Sequence, residues 1–439
     1  MLRPTLRRLA RGLTRRPSPT RKAFRPRLSL EGLETRLTPA VHVSVVGGVL
    51  TAQVDKADKA FNTVTVDHVV QSGKGFAEIN GHFFSDAAYN SIQINGGSGG
   101  LTANIHANVK PLTVSGVGTK NVDNLGDATN KLQGIQATVL LENESSGGSS
   151  TVNINDQNDA TTRTVTMSEV TRSGESSLGA VNGLGAAQIT WDYQDTSAVN
   201  LNLGSGADNL NVLATGVTTN VTTNIFHPAN ASINVGNNSM LTDIQGNLNL
   251  ENDGGSVHIF FDDTNDSASR TYNLGVVPGD EFVNTFGRLS SNAMTGAITW
   301  DNADTNAVVL FGGSGGNRFN IAQTGVGPTI EINGGSGVNF FDLIPPGTPG
   351  FLGSNLQGSL EIFAGGNVNS GIFLNDQNDP NVETFNFFGS PFDASLTLGN
   401  EPRFSLLFVG FDPTNGGASL ETNQISTVND PNGVIHVIF

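Results

Sequence analysis

The sequence predicts an all-β fold: a parallel β-helix or β-solenoid of about three and a half repeats, each of roughly 110 residues. Three observations support it: a long internal repeat, apolar residues at alternate positions, and many residues suited to tight turns. Gly occurs 54 times and Asn 49 times among 439 residues, and both tolerate the left-handed backbone of turns. This composition excludes a helical bundle. The absence of Cys excludes disulfides, thiolate catalysis and zinc–thiolate sites.

The repeat is clearest around the two Trp residues, Trp191 and Trp300. Residues 189–217 and 298–326 align without gaps at an offset of 109, with 16 of 29 positions identical. Gln-Gly pairs at Gln133, Gln245 and Gln357 and three Asp-x-Asn-Asp clusters mark further copies. We therefore divide the body into a degenerate N-terminal repeat and cap at 41–131, repeat 1 at 132–243, repeat 2 at 244–355, and repeat 3 with a Phe-rich cap at 356–439.

Within each copy the apolar residues follow a period of two. TVNIND at Thr151–Asp156 and VNLNL at Val199–Leu203 are typical of strands with one buried face, and Gly, Asn, Asp and Ser clusters between them indicate turns. In a solenoid, inward-facing Asn side chains would form hydrogen-bonded ladders between successive coils. The competing architecture is a string of antiparallel sandwiches, one per copy.

The C-terminal end is rich in Phe. Thirteen of the 25 Phe residues follow residue 339. A terminal coil lacks a stacking neighbour, so we expect these side chains to close the core as a cap. The alternative is an aromatic surface for a carbohydrate or another partner.

The first 40 residues differ in charge from the rest. They hold 11 Lys or Arg against two Glu, so residues 41–439 carry a net charge of −25. We predict that 1–40 is a basic export or sorting leader, disordered or helical. Nucleic-acid binding is not expected, because no aromatic residues interleave the basic ones and the acidic body would repel phosphate. No transmembrane span is predicted, because no run of about 18 apolar residues occurs.

The leader carries a family resemblance. Leu28–Ala40, LSLEGLETRLTPA, resembles the LEPR-type leader (LExLExR-x-x-PA) of planctomycete cell-surface and secreted proteins. Phrases at 153–159, 189–209 and 244–250 are similar to the Asn/Gly-rich repeats of planctomycete extracellular proteins. The resemblance implies a secreted or cell-surface location in the envelope or extracellular space. It implies no chemistry.

Calcium is the only cofactor that the sequence suggests. The segment Gly204–Leu210, GSGADNL, resembles the haemolysin-type calcium-binding repeat, which implies Asp208 as a ligand; Asn317 and Asn339 stand at the matching positions. The Asp-x-Asn-Asp clusters are the second set of candidates, because carboxylates are ligands that Ca²⁺ prefers. Their alternative role is a surface Asx-turn. The candidate metal ligands are Asp156, Asp159, Asp208, Asp263, Asp266, Asp376 and Asp379.

No catalytic motif stands out, since the sequence lacks HExxH and the phosphate loop, and no GxSxG sits between a strand and a helix. Arg163 and Arg270 recur four residues after Asp159 and Asp266, and a residue duplicated through an array favours a structural role over a unique active site. We predict a non-enzymatic, exported surface or matrix repeat protein, a structural or adhesive scaffold that binds cations weakly. Its expected partners are envelope glycans or other surface proteins. The alternative is a secreted carbohydrate-active β-helix enzyme, a polysaccharide lyase or glycoside hydrolase.

Overall fold

Strands account for most of the described chain. The computed structural model describes residues 41–56, 58–144, 148–172, 177–216, 222–227, 230–252, 255–279, 285–350, 352–365 and 370–375, and beyond them the backbone of Asp376 and of six further strands. The predicted leader at 1–40, the candidate ligand Asp379 and the side chains of the predicted cap beyond Asn375 lie outside this description.

The elements follow one another as short strands. The first eighteen are β1 Val41–Val46, β2 Val49–Val54, β3 Asn62–Gln71, β4 Lys74–Ile79, β5 His82–Ser85, β6 Ser91–Asn95, β7 Leu101–Ile105, β8 Leu112–Gly116, β9 Lys120–Leu125, β10 Val139–Asn143, β11 Ser149–Asn155, β12 Thr164–Thr171, β13 Ser177–Asn182, β14 Ile189–Asp192, β15 Thr196–Asn202, β16 Asn209–Val212, β17 Thr222–His227 and β18 Ala231–Val235. The others are β19 Asn247–Asn252, β20 Val257–Asp262, β21 Thr271–Pro278, β22 Thr285–Ser291, β23 Ile298–Asp301, β24 Thr305–Phe311, β25 Arg318–Ile321, β26 Thr329–Asn333, β27 Phe340–Leu343, β28 Ser359–Phe363, β29 Gly371–Asp376, β30 Glu383–Ser390, β31 Asp393–Leu398, β32 Ser405–Val409, β33 Ala418–Thr422, β34 Ile425–Asn429 and β35 His436–Ile438. A 3₁₀ turn, Asp86–Ala88, and one short helix, α1 Leu352–Asn355, complete the described elements.

Alternating burial accounts for these strands. In β11, Val152 and Ile154 are fully buried, while Asn153 between them is half-buried. Side chains of a strand point alternately to its two faces, and β-branched residues pack well on the buried one. The same alternation recurs in β2, β7, β17 and β19. The all-β class that the period of two predicted is confirmed.

The strands form two large mixed sheets. The first contains 18 strands in the order β1, β2, β6, β8, β10, β14, β13, β12, β16, β18, β20, β24, β26, β28, β32, β31, β30, β34. The second runs β5, β4, β3, β7, β9, β11, β15, β17, β19, β23, β22, β21, β25, β27, β29, β33, β35. Most neighbours are parallel.

The antiparallel pairs are concentrated in three-strand segments. In one of them, β14 pairs in parallel with the preceding β10, and β12 pairs in parallel with the following β16. The middle strands of two segments carry Gly179 and Gly287. A Cβ on these glycines would lie 2.3 and 2.1 Å from the indoles of Trp191 and Trp300. Only Gly lets each indole lie across the neighbouring strand, which explains why Trp and Gly recur together.

Both sheets contribute to one hydrophobic core. Its buried side chains include Trp191 from the first sheet and Tyr272, Phe319 and Phe341 from the second. The last three stack with ring centroids 4.9 and 4.8 Å apart. Offset stacking adds about 0.5–1.5 kcal/mol per pair to the burial of area.

Parallel pairs cross the predicted repeat boundaries. At 243/244, β17 pairs with β19 and β18 pairs with β20. At 355/356, β26 pairs with β28 and β27 pairs with β29. The copies therefore share their sheets, and the alternative of one separate sandwich per copy is wrong.

The structure also sets the phase of the repeat. Equivalent positions are marked by isolated parallel bridges, which link Ile135, Ile244 and Leu356 each to a turn earlier in the chain. The residues that follow these three, Gln136, Gln245 and Gln357, are therefore structural counterparts. The counterpart of Gln245 is thus Gln136, three residues beyond the Gln133 chosen from sequence. Equivalent strands of neighbouring copies lie in opposite sheets, since Trp191 is in β14 of the first sheet and Trp300 is in β23 of the second.

Candidate functional site

Asp156, the first predicted ligand, is a buried hydrogen-bond acceptor. It follows β11 directly and is 1% exposed. Its Oδ1 accepts the backbone N–H of Leu132 at 3.1 Å and the Gln133 amide at 3.3 Å. Burial raises the pKa of Asp156 to about 6, against the opposing hydrogen bond from Leu132. The carboxyl group ties the end of β11 to the turn that precedes β10.

Asp159, three residues later, closes a turn and holds an arginine. Its Oδ1 accepts the N–H of Thr161 at 3.1 Å, which is an Asx-turn. Its Oδ2 lies 2.6 Å from Nε and 2.5 Å from Nη2 of Arg163. Burial acts to raise the pKa of Asp159, but the hydrogen bonds from Thr161 and Arg163 outweigh it and the pKa is lowered.

The second copy repeats this arrangement. Asp263 accepts the N–H of Leu241 at 2.8 Å and the hydroxyl of Tyr272. Burial raises the pKa of Asp263 against both hydrogen bonds. Asp266 accepts the N–H of Ala268 at 2.8 Å and Nε of Arg270 at 2.6 Å. The recurring Asp and Arg residues therefore have the same hydrogen-bonding roles in both copies.

The third copy is described only in part. Asp376 is the last residue of β29, and its side chain lies outside the described residues, as does all of Asp379. Their predicted role as ligands stays a prediction.

Asp208 lies at a turn and has the same hydrogen-bonding role as two Asn residues. Its Oδ1 accepts the N–H of Arg163 at 2.7 Å, and Nε2 of the buried His227 lies 3.7 Å from its Oδ2. At the matching corners, Asn317 accepts the N–H of Arg270 at 3.1 Å and Asn339 accepts the N–H of Asn317 at 2.9 Å. The shared function is to accept a backbone N–H from the neighbouring strand.

The described candidate ligands accept hydrogen bonds from within the chain. Ca²⁺ takes six to eight oxygen ligands, commonly from several carboxylates. Here the oxygens of Asp159 and Asp266 face guanidinium groups, and those of Asp156 and Asp263 accept N–H and O–H donors. In the part of the chain that the structure describes, no three Asp, Glu or His side chains converge on one point.

A ladder of side-chain amides runs along the second sheet. Asn153 donates to Asn124, Asn200 to Asn153, and Asn224 to Asn200, at 2.7–2.8 Å. The ladder continues at both ends, and its members in sheet order are Thr65, Asn104, Asn124, Asn153, Asn200, Asn224, Asn249 and Thr299. Its side chains lie on the outer face, alternating with buried Val, Ile and Leu, so the prediction that such ladders face inward is wrong here.

Asp123 was missed by the sequence reasoning. It lies in β9 between Ala103 and Val152, is 1% exposed, and neither carboxyl oxygen has a hydrogen-bond partner among the residues that the structure describes. Burial raises the pKa of Asp123 to about 7. Counting back by two from the apolar Leu125 would have identified Asp123 as inward-facing.

Two of the Phe residues that follow residue 339 lie on the outer face. Phe340 and Phe373 are 38% and 40% exposed, with ring centroids 6.3 Å apart. Phe341 follows Phe340 in the strand and points to the other face, where it is fully buried, as expected of a core residue. Because successive side chains of a strand point to opposite faces, adjacent Phe residues occupy both the core and the outer face.

Comparison with known proteins gives no relative: no protein-family model, no curated protein and no solved structure matches the chain. Among the described residues, no helix has the length and apolar character needed to traverse a bilayer.

Proposed function

We propose that the chain is a non-enzymatic, exported repeat protein that serves as a structural or adhesive scaffold at the cell surface or in the extracellular matrix. In this proposal its two sheets are the faces of a β-solenoid whose coils contribute one strand to each sheet. The family resemblance of the leader at 1–40 supports export.

Coil spacing supports the solenoid. Successive members of the amide ladder are 20, 29, 24 and 25 residues apart where single strands follow one another. The spacing rises to 47 and 50 residues where a three-strand segment is inserted. A coil of about 20–30 residues with one strand in each sheet accounts for both values, because each insertion adds two strands.

The amide ladder is the observation that carries the proposal. It passes through eight strands and crosses the boundary between repeats 1 and 2. Each Asn side chain hydrogen-bonds to the neighbouring strand and holds it in register. This row of polar side chains on the surface therefore contributes to the internal order of the array. An array of this kind suits a stiff spacer, in which neighbouring repeats stabilise each other.

The acidic residues support the same interpretation. A glycoside hydrolase needs two carboxyl groups free to act on a sugar. Asp159 and Asp266 are paired with arginines, and Asp156 and Asp263 accept backbone N–H groups. The recurring acids are thus committed to holding strands and turns together.

Small-angle X-ray scattering on the purified full chain tests the scaffold shape. A stack of 18 strands spaced by about 4.8 Å is about 80 Å long, whereas a sphere with the radius of gyration of about 22 Å expected for a globular chain of this length is about 57 Å across. The scattering is expected to show a rod cross-section. A profile typical of a sphere would contradict the solenoid.

Cell fractionation tests the location, and a substrate panel tests the enzyme alternative. We expect the protein in the surface or extracellular fraction, with no release of reducing ends or unsaturated sugars from anionic and neutral polysaccharides. Intact protein confined to the cytoplasm would refute the exported role, and turnover of a polysaccharide would establish the alternative.

A further inference from the structure

A cleft of about 580 Å³ lies in repeat 2, beside the β21–β22 hairpin. This hairpin extends past the edge of the second sheet, because β21 pairs with β25 only over Thr271–Leu274 but continues to pair with β22 as far as Pro278. Val276 and Thr285 of the hairpin form one wall, and Asn302, Gln323 and the 325–327 turn form the other. The volume lies within the ~300–1,000 Å³ of small-molecule sites.

Repeat 1 has the same hairpin with different side chains. The strand registers make Glu169 the counterpart of Val276 and Ser177 the counterpart of Thr285. Tyr193 is the counterpart of Asn302, at the same place in the ungapped repeat. Tyr193 is 2% exposed and packs edge-on against Trp191 at 6.1 Å. In repeat 2, the smaller Asn and the neutral Val stand where repeat 1 has an aromatic ring and a carboxylate.

The cleft offers unused hydrogen-bonding groups. Asn302 is 2% exposed; its Nδ2 donates to Thr285, but its Oδ1 is buried without a partner. That oxygen is shielded from solvent, so Asn302 favours a ligand by its small size. The side-chain amide of Gln323, which also lines the cleft, makes no hydrogen bond within the described part of the chain.

The lining also limits the charge of a ligand. Every residue that lines the described cleft is neutral, and its polar members carry amide or hydroxyl groups. A charged ligand would lose hydration without meeting a counter-charge. Hydroxyl groups both donate and accept, which matches amides and hydroxyls. Val276 and the 48% exposed Val326 offer apolar surface to the C–H groups of a ring.

We propose that this cleft binds an uncharged saccharide, with the Gln323 amide contacting a sugar hydroxyl and the small Asn302 side chain leaving room for the sugar ring. At the position equivalent to Asn302, repeat 1 has the larger Tyr193 ring. The inference deepens the proposed function, on which it rests for the source of the ligand: an adhesive scaffold would meet neutral glycans of the envelope.

Saturation-transfer NMR and calorimetry on the full chain test the site. The probes are neutral di- and trisaccharides of the gluco, manno and galacto series, with trigalacturonate as the anionic comparison and a neutral tetrapeptide as the peptide comparison. We expect binding of at least one neutral series and none of trigalacturonate. N302Y restores the repeat 1 residue and is expected to abolish binding, while Q323A removes one hydrogen bond and is expected to weaken it about tenfold.

Q194A is the matched control, because Gln194 is the exposed amide in the equivalent turn of repeat 1. It is expected to bind as the unmodified protein does. Circular dichroism reports whether N302Y folds, and Q323A decides the question if it does not. No binding of any neutral saccharide, undiminished binding by both cleft variants, or binding of the tetrapeptide instead would overturn the proposal. These results leave the fractionation and scattering tests untouched, so failure of the site and failure of the scaffold role are distinguishable.

Discussion

At the scale of single residues, the same carboxyl group has different roles according to the strand position it occupies. Asp159, at a turn, meets N–H donors and a guanidinium, and its pKa is lowered. Asp123, at an inward position, meets only apolar neighbours in its sheet, and its pKa is raised. Local sequence identifies both as acidic, but only the packing around each one decides whether its charge is stabilised.

The stability of the protein is expected to depend on Asp123 and pH. With a folded pKa of about 7 against 3.8 unfolded, the folded state keeps a proton that the unfolded state has lost. The Asp123 contribution to the free energy of unfolding therefore falls as pH rises from about 4 to about 7 and is constant above that range. D123N should stabilise at pH 8 by as much as about 4 kcal/mol and have little effect near pH 4. Thermal melts at both pH values measure this.

E361Q is the control for Asp123, because Glu361 lies on the outer face of β28. It should shift the melting temperature equally little at both pH values. An equal gain for D123N at pH 4 and pH 8 would show that its carboxyl group is not the titrating group.

The Arg163–Asp159 pair is expected to stabilise repeat 1. R163A removes a guanidinium that is 19% exposed and leaves the mostly buried Asp159 without its charged partner. We expect a loss of about 2–3 kcal/mol, with R163K intermediate because an ammonium cannot reproduce the guanidinium contacts. R270A should act alike in repeat 2, and R288A, at an exposed position of β22, should not. Urea titration of the four variants checks this, and equal midpoints for R163A and R288A would contradict it.

At the scale of elements, strand alternation explains both what was predicted and what was missed. The period of two identified strands such as β11 and β19 because apolar residues occupy every second position. It also places Asn153 and Asn200 on the outer face, where we had expected inward ladders. The inward positions of these strands hold Val and Leu, so the amides have only the outer face on which to pair.

Breaking the ladder is expected to weaken the array locally. N200A removes the hydrogen bonds to Asn153 and from Asn224, at 2.7 and 2.8 Å, and should cost about 1–2 kcal/mol. N200D should cost more, because a carboxylate oxygen would face the Asn153 oxygen. Hydrogen exchange of β11, β15 and β17 measures the effect, with N90A at an exposed position as control. Unchanged protection in N200D would rule out a stabilising ladder.

At the scale of the whole molecule, two sheets with one core connect copies that the sequence presents as units. Parallel pairs cross the boundaries at 243/244 and 355/356, so each copy depends on its neighbours for strand partners. Equivalent strands alternate between sheets, so equivalent side chains such as Trp191 and Trp300 meet different surroundings. Tyr193 and Asn302, at equivalent positions, differ in size although both are buried.

Calcium removal is expected to leave the stability of the whole molecule unchanged. The recurring carboxylates already accept N–H, O–H and guanidinium donors, which leaves them unsuited to an ion that needs several oxygen ligands. Thermal melts of the full chain with EDTA and with added CaCl₂ should coincide, with MgCl₂ as the ionic-strength control. A large fall in melting temperature with EDTA would restore the clusters as calcium sites.

The sequence by itself determined that this chain is built of repeated short strands, since alternation, turn residues and the Trp-centred repeat are local properties of the polypeptide. Duplication also favoured a structural role for Arg163 and Arg270, whereas the recurring Asp residues were candidates for calcium ligands or Asx-turns. The tertiary structure alone decided which strands pair, which face each Asn occupies, what each carboxylate accepts and where a cleft opens. Those outcomes depend on contacts between residues 20 to 50 positions apart, and their strength depends on a burial that no local pattern contains.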